Sequence, residues 1–288
     1  MLRYLSILLL AALLSTCKES KSSTGETNEN NTKSPKRGIS YNIQHDEDLI
    51  ALRNGLSWWY NWGIETSISS NYYDLYKMEY IPMMWSVGDV ATYQKLKDYI
   101  MNHSEIKYLL VLNEPNLTDQ ANMLPSVAAK LWVQYEQVVK DLSNSGRTVY
   151  IVGPAITWGT LEGYSDPIVW MDAFYDEYRN ANDNRDPQID YLAFHWYDYG
   201  LESQLNRLQK YGKKIWVTEM ANWNSNINSY EKQAEQMKEM IALCESRDDV
   251  FRYAWFIGRG AENRFTNLFD SEPGKLNELG KLYISLPF

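Results

Sequence analysis

The sequence predicts an α/β chain folded as a single (β/α)8 TIM barrel. Three observations point there. Eight short runs rich in Ile, Val, Trp and Tyr are separated by stretches of helical periodicity, the alternation that builds parallel sheets. They spread over about 250 residues, the usual span of such a barrel. The runner-up, a doubly wound open sheet, usually carries a glycine-rich first turn. Here Gly258-Arg259-Gly260 continues Ala261-Glu262-Asn263, so that turn is missing.

The expected strands are Gly38–Ile43, Leu56–Asn61, Glu79–Trp85, Lys107–Asn113, Thr148–Pro154, Tyr191–Tyr197, Lys214–Glu219 and Arg252–Ile257. Between them, Val127, Leu131, Tyr135, Val138 and Leu142 recur on one helical face. Tyr230, Ala234, Met237, Ile241 and Cys244 do the same, which makes Cys244 an inert packing residue on a buried stripe. The connection Gly63–Lys77 is the least regular, so the helix after strand two is expected to be short or missing.

Ahead of the barrel, residues 1–17 read as an export signal. Arg3 is the positive start, and Leu5 to Leu14 form an apolar stretch interrupted only by Ser6. That stretch is too short to span a bilayer, which needs about 20 apolar residues. Leu14-Ser15-Thr16-Cys17 resembles a bacterial lipobox, although Thr16 departs from the usual Gly, Ala or Ser before the cysteine. Cys17 is therefore the expected lipidation site, with an ordinary cleaved signal peptide as the alternative. Residues 18–36 are Lys, Glu, Ser, Thr and Asn with almost nothing apolar, a flexible leash between membrane and domain. Residues 37–288 are expected to form the barrel domain.

Composition narrows the function. The 288 residues are 44% hydrophobic and 23% charged, values of an ordinary globular protein. A net charge of −9 repels phosphate backbones, which argues against a nucleic-acid partner. Two cysteines (Cys17, Cys244) and three histidines (His45, His103, His195) leave no disulfide framework and no Cys/His zinc cluster. No metal or organic cofactor is expected. Against 7 Phe stand 11 Trp and 22 Tyr, so the chain prefers rings with polar edges, which suit stacking on sugars.

A barrel puts its chemistry at the C-terminal ends of the strands. Those ends read Trp58-Trp59-Tyr60-Asn61-Trp62, Pro82-Met83-Met84-Trp85, Asn113-Glu114-Pro115-Asn116, Gly153-Pro154-Ala155, His195-Trp196-Tyr197, Thr218-Glu219 and Ala254-Trp255-Phe256. Two carboxylates, Glu114 on strand four and Glu219 on strand seven, thus share the mouth with indoles and phenols. Glycoside hydrolysis needs such a pair, one protonated to donate to the leaving oxygen, the other ionised to attack or to activate water. Glu114 follows the apolar run Tyr108–Leu112, and desolvation there favours the raised pKa of an acid. Glu219 is then the ionised partner. Trp58, Trp59 and Trp62 cannot all face the mouth, because neighbours on a strand alternate.

At these residues the chain resembles clan A of the glycoside hydrolases, and more narrowly glycoside hydrolase family 128, the Asl1-like catalytic core. Trp59-Tyr60-Asn61-Trp62, Pro82-Met83-Met84-Trp85, Asn113-Glu114-Pro115-Asn116, His195-Trp196-Tyr197, Trp216-Val217-Thr218-Glu219 and Tyr253-Ala254-Trp255-Phe256 carry the resemblance, in order, from about Gly38 to Phe256. It implies a TIM barrel with a retaining endo-β-1,3-glucanase activity on laminarin, curdlan or callose-type glucans. It also implies that Glu114 is the acid/base and Glu219 the nucleophile, that Asn113 bonds the sugar 2-hydroxyl, that Tyr197 holds Glu219, and that His195 floors the reacting subsite. Trp85, Trp158, Trp223 and Trp255 are the expected stacking platforms, since an indole face matches the C–H face of a pyranose. Asn61 joins them as a substrate-binding candidate.

The expectation is a monomer with a β-glucan as its partner, touching the membrane only through a lipid anchor on the bacterial envelope, with secretion as the alternative. Three other functions compete: a non-catalytic glycan-binding lipoprotein, a hydrolase of β-1,4 or mixed-linkage chains, and a transglycosylase. Binding alone gives no reason to keep both Glu114 and Glu219.

Overall fold

The computed structural model describes residues 33–68, 71–261 and 264–288. The signal segment, Cys17 and the leash up to residue 32 lie outside the described residues. Lys33–Lys36, expected to belong to the leash, instead pack onto the domain. Ser34 is buried, and the Lys33 ammonium caps three carbonyls, those of Arg53, Leu56 and Tyr76, at 2.7–3.0 Å. Those orphan C=O groups recruit a cation that composition alone assigns to solvent.

The expected barrel is present. Its strands are β1 (Arg37–Ser40), β2 (Trp58–Tyr60), β3 (Glu79–Tyr80), β4 (Met83–Met84), β5 (Tyr108–Val111), β6 (Tyr150–Ile156), β7 (Tyr191–Trp196), β8 (Ile215–Met220) and β9 (Val250–Trp255). Every pairing is parallel, in the order β3-β2-β1-β9-β8-β7-β6-β5-β4. Both ends of that order come from the single expected strand Glu79–Trp85. Its first half pairs with β2 and its second with β5, so the sheet closes on itself. The partner changes at Pro82, which has no N–H for the ladder, while its carbonyl accepts from the Leu110 amide at 3.0 Å. The nine strands are therefore eight staves, the third one broken.

The helices are α1 (Asp46–Leu52), α2 (Tyr72–Tyr76), α3 (Val90–Asn102), α4 (Pro125–Asn144), α5 (Pro167–Ala181), α6 (Leu201–Leu208), α7 (Tyr230–Ser246) and α8 (Glu278–Ser285). The helix after the second stave is short, five residues, as its irregular sequence implies. On α4 the buried face is centred on Ala128, Trp132, Tyr135, Val139 and Leu142, and Val127 faces out. Tyr230 at the start of α7 is likewise exposed, whereas Met237, Ile241 and Cys244 are buried. None of the described helices is long and apolar enough to cross a membrane.

Alternation along the strands sorts residues into two cores. Trp58, Tyr60, Leu110, Val152, Ala193, Trp216 and Ala254 fill the barrel. Trp59, Val111, Phe194, Val217, Tyr253 and Trp255 face the helices. The barrel floor is aromatic: Trp58 meets Trp216 edge-on at 5.0 Å, and the Arg252 guanidinium lies 4.8 Å from the Trp216 ring while pairing with Glu79 at 2.8 Å. Trp58 can sit there because residue 38 lacks a Cβ, which would fall 2.3 Å from the indole.

Gly38→Ala is thus expected to overpack the floor and cost about 1–3 kcal/mol. Urea unfolding followed by tryptophan fluorescence checks this, and an unchanged midpoint would contradict it.

Candidate active site

Three irregularities at the C-terminal rim bring the functional side chains together. At the end of β5, Leu112 and Glu114 both take left-handed backbone, φ 59° and 43°. Each such residue without special chemistry costs of order 1–3 kcal/mol, a cost that clusters at functional sites. The coil is pinned by Ala155 of β6, whose amide donates to the Leu112 carbonyl at 2.9 Å and whose carbonyl accepts from the Glu114 amide at 2.8 Å. On β8 the register to β7 slips, so that Phe194 lies opposite Val217 but His195 lies opposite Glu219. Thr218 is the extra residue, and this bulge turns Glu219 inward where strict alternation would turn Thr218. After β2, Trp62 is also left-handed, φ 62°.

Glu114, His195 and Glu219 are buried side by side. His195 Nδ1 lies 2.8 Å from Glu114 Oε1 and 3.6 Å from Glu219 Oε2. Glu219 accepts from three donors: the Tyr60 hydroxyl (2.7 Å), the Trp62 indole N–H (2.8 Å) and the Tyr197 hydroxyl. An indole can only donate, so the oxygen facing it serves as an acceptor. Glu114 has no comparable set. Burial pushes its carboxyl up; the His195 hydrogen bond and charge pull it down; Glu219 and then Asp119 push it up again, and the net direction is up. Burial disfavours a charged His195, but the two carboxylates outweigh it and its net direction is also up. Burial, followed by the charge of Glu219, holds the Tyr60 and Tyr197 phenols well above their usual range, which keeps them as donors. One carboxyl is thus set to hold a proton and the other to stay an acceptor.

Among the described residues, Glu114, His195 and Glu219 are also the one group of three or more His, Cys, Asp or Glu whose ligand atoms, all within 4.8 Å of one another, could hold a metal ion. Those atoms are already engaged with one another and with the Tyr and Trp donors.

Glu114 and Glu219 open into a cleft of about 540 Å³ lined by Trp62, Trp85, Asn113, Asp119, Trp158 and Trp223, among others. A larger concavity, about 650 Å³, lies at the other end of the barrel by the starts of β6 and β7. Its Glu136 is consumed by Tyr178 and Arg185, so the chemistry belongs to the smaller cleft.

Of the residues expected from the sequence, Glu114, Glu219, Asn113, His195, Tyr197, Trp85, Trp158 and Trp223 gather here. Asn113 is buried, and its Oδ1 has no partner in the protein. Three expectations are corrected. Trp223 lies flat on Tyr197, ring centroids 3.8 Å apart, with the Arg264 guanidinium 5.0 Å from its centroid, so it has no free face to serve as a platform. Trp255 is fully buried, faces the helices beside Tyr283 of α8, and donates its N–H to the Thr266 carbonyl at 2.9 Å; it is core, not a platform. Asn61 ties a loop: its Oδ1 accepts from the Gly63 amide and the Tyr80 hydroxyl (3.0 and 2.6 Å), and its Nδ2 donates to the Glu65 carbonyl at 3.0 Å and to Asn42 Oδ1 at 3.3 Å, which leaves it none to offer a sugar. Its neighbours Tyr60 and Trp62 are the functional ones, and period-two alternation could have pointed to them. Asp119, Gln120, Thr157 and Thr160 were missed because nothing local marks a polar loop residue as facing a cleft.

Removing the Glu219 charge removes one upward cause, so Glu219→Gln is expected to lower the Glu114 pKa. A carbon-13 NMR titration of the Glu114 carboxyl reads this directly; a rise or no change would contradict the coupling.

The chain is similar to known proteins over most of its length. The family model described as "Glycosyl hydrolase catalytic core" matches residues 38–283. A solved GH128 (subgroup II) endo-β-1,3-glucanase from Pseudomonas viridiflava is 50% identical, with a TM-score of 0.83 over 89% of this chain and 100% of its own. Another subgroup II endo-β-1,3-glucanase, from Sorangium cellulosum, is 29% identical with a TM-score of 0.74, over 88% of this chain and 98% of its own. Alkali-sensitive linkage protein 1 of Schizosaccharomyces pombe is 27% identical over 88% of this chain, and the chain spans 45% of that relative's length.

Proposed function

The chain belongs to the glycosyl hydrolase catalytic core family and is a glycoside hydrolase, and we propose that it is a retaining endo-β-1,3-glucanase. The observation that carries this is the buried pair Glu114 and Glu219, their nearest contact oxygens within 4.8 Å, one carboxyl raised by burial and the other ringed by donors. Retaining enzymes keep their carboxyls about 5–5.5 Å apart, inverting ones about 6.5–9.5 Å to admit a water, so the pair supports retention.

In this mechanism Glu219 attacks the anomeric carbon as Glu114 gives its proton to the departing glycosidic oxygen. The C1–O bond to the departing chain breaks and a C1–O bond to Glu219 forms. Glu114, now a carboxylate, takes a proton from water, whose oxygen attacks C1 and frees Glu219. Tyr60, Trp62 and Tyr197 orient Glu219 in both steps. The unpartnered Oδ1 of Asn113 is available to the sugar 2-hydroxyl, a bond that strengthens as the oxocarbenium forms.

The β-1,3 linkage and endo action are supported by the 50% and 29% identical endo-β-1,3-glucanases. A 27% identical curdlan-specific exo-β-1,3-glucanase from Blastomyces gilchristii, TM-score 0.66, is the basis of a second reading, exo action on the same bond. Arg3, Leu5–Leu14 and Cys17 support export with a lipid anchor on the bacterial envelope. The predicted partner is a β-glucan, and the predicted state a monomer.

Laminarin, barley mixed-linkage glucan and carboxymethylcellulose offered side by side test the activity. Laminarin is expected to give an initial β-anomer by proton NMR, with Glu219→Gln abolishing turnover and Glu114→Gln slowing it by about 10²–10⁴. Binding without cleavage would sink the enzyme reading, and cleavage confined to β-1,4-containing chains would discard the substrate. For the anchor, Cys17→Ala is expected to move the protein from the membrane to the soluble fraction of expressing cells; an unchanged distribution would remove the lipid.

A further inference from the structure

The two ends of the barrel differ in charge. Every strand pairing is parallel, so the residues that precede the strands gather at the end opposite the cleft. Cations stand there ahead of β1, β2, β3, β5, β6 and β8, spread around the ring rather than along one groove. Lys33, Lys36 and Arg147 each donate to three backbone carbonyls and to no carboxylate. Arg53, Lys77, Lys107, Lys213 and Lys214, with Lys140 near the end of α4, are exposed and form no ion pair among the described residues. Most acids at this end are paired, Glu136 with Arg185, Asp186 with Arg179, Asp249 with Arg247 and Glu245 with Arg37. Those left without a Lys or Arg partner are Asp74, Glu105, Asp183, Asp190 and Asp248, fewer than the cations named. This end is therefore positive in a chain whose net charge is −9.

The rim around the cleft is the reverse. Asp46, Glu47, Asp89, Asp119, Glu162 and Glu202 follow strands, are exposed, and have no Lys or Arg partner among the described residues. Helix α4 runs from the rim to the positive end, and its 20 residues span about 30 Å. That is several times the screening length of about 8 Å at physiological salt, so a surface touching one end does not feel the other. The positive end also carries partly exposed aromatic rings. Tyr108 lies 5.9 Å from Tyr150 and 5.7 Å from Tyr191, and Tyr191 lies 4.7 Å from Phe251. Tyr150 is 40% exposed, and the Lys214 ammonium stands 5.9 Å from the Phe251 centroid.

Phenols beside lysines suit the headgroup layer of a bilayer, where tyrosines settle at the water interface and basic side chains are drawn to anionic lipid. Cations set round a ring match a plane of phosphates better than a single polyanion strand, which would follow a groove. Lys33 lies at this same end, so the residues before it join the barrel there. We propose that the strand-start end of the barrel docks on an anionic phospholipid bilayer and holds the catalytic cleft away from the membrane, open to polymeric substrate. The acidic rim reinforces this orientation, because the inverted one would press like charges together. The proposal rests on the export and anchor reading of residues 1–17 only for which surface lies within reach.

Residues 32–288 form one compact unit with its own core, so this unit is tested without the leader and its lipid, and the result does not depend on Cys17. The unit is sedimented with vesicles of phosphatidylcholine alone and of phosphatidylcholine mixed with phosphatidylglycerol, at low and at high salt. Binding is expected only to the mixed vesicles and should weaken as salt rises. Combining Lys107→Glu, Lys213→Glu and Lys214→Glu should weaken it on the order of a hundredfold, about fivefold for each basic residue. The three glutamine replacements at the same positions should show a smaller loss in the same direction. A matched triple at the cleft end, Lys130→Glu, Lys232→Glu and Lys275→Glu, should bind as the wild type does. Melting curves for each variant exclude a folding defect. Equal binding to both vesicles, or equal losses in the two glutamate triples, would overturn the proposal. So would the absence of binding to either vesicle, and retention on dextran sulfate beads in that case would give the face to a soluble polyanion instead.

Discussion

Two carboxyl groups buried within 4.8 Å of one another are the constraint around which the rest of this molecule is arranged. Left alone, the pair would repel, and burial would disfavour charge on either. The protein resolves the conflict asymmetrically. Two phenols and an indole converge on Glu219 and fix its oxygens as acceptors, while Glu114 faces one imidazole and is otherwise desolvated. His195 touches both, so the protons of the trio are coupled and belong to the group rather than to one residue. An acid and a nucleophile made from the same functional group are separated by environment alone.

The barrel supplies this environment by departing from regularity at its rim. A left-handed turn at Leu112 and Glu114, a bulge at Thr218 and a left-handed Trp62 all occur where strands end. At the opposite end the staves are packed with aromatics around Arg252, and Gly38 gives way to Trp58. Irregularity at one end is tolerated because the other is rigid, the division of labour of barrels whose loops carry the chemistry.

Much of this was legible in the sequence. Eight apolar runs gave eight staves, because burial on both faces leaves a strong compositional trace. Glu114 and Glu219 stood out because a charge at the end of an apolar strand is costly unless used. What was not legible depended on phase and on distance. Trp255 looked like a platform because it ends a strand, yet alternation turns Ala254 inward and Trp255 to the helices. Asn61 was misplaced for the same reason: Tyr60 and Trp62, one residue either side, are the ones that reach Glu219. The break of the third stave at Pro82 was hidden because one continuous run serves two partners. Trp223 kept its position, but its neighbours Tyr197 and Arg264, 26 and 41 residues away in the chain, took its face. The hydrogen bond from Asn116 to the Thr157 carbonyl joins loops 41 residues apart, a contact no local pattern encodes.

The central claim is that Glu219 forms a covalent bond to the sugar while Glu114 manages the proton. Trapping the glycosyl-enzyme tests it most directly. After incubation with a 2-deoxy-2-fluoro-β-laminaribiosyl fluoride, which slows the second step, intact-mass and peptide mass spectrometry should find one added fluorosugar. The account predicts it on the peptide containing Glu219, absent from Glu219→Gln. A label on Glu114, or steady turnover with no trapped species, would contradict it.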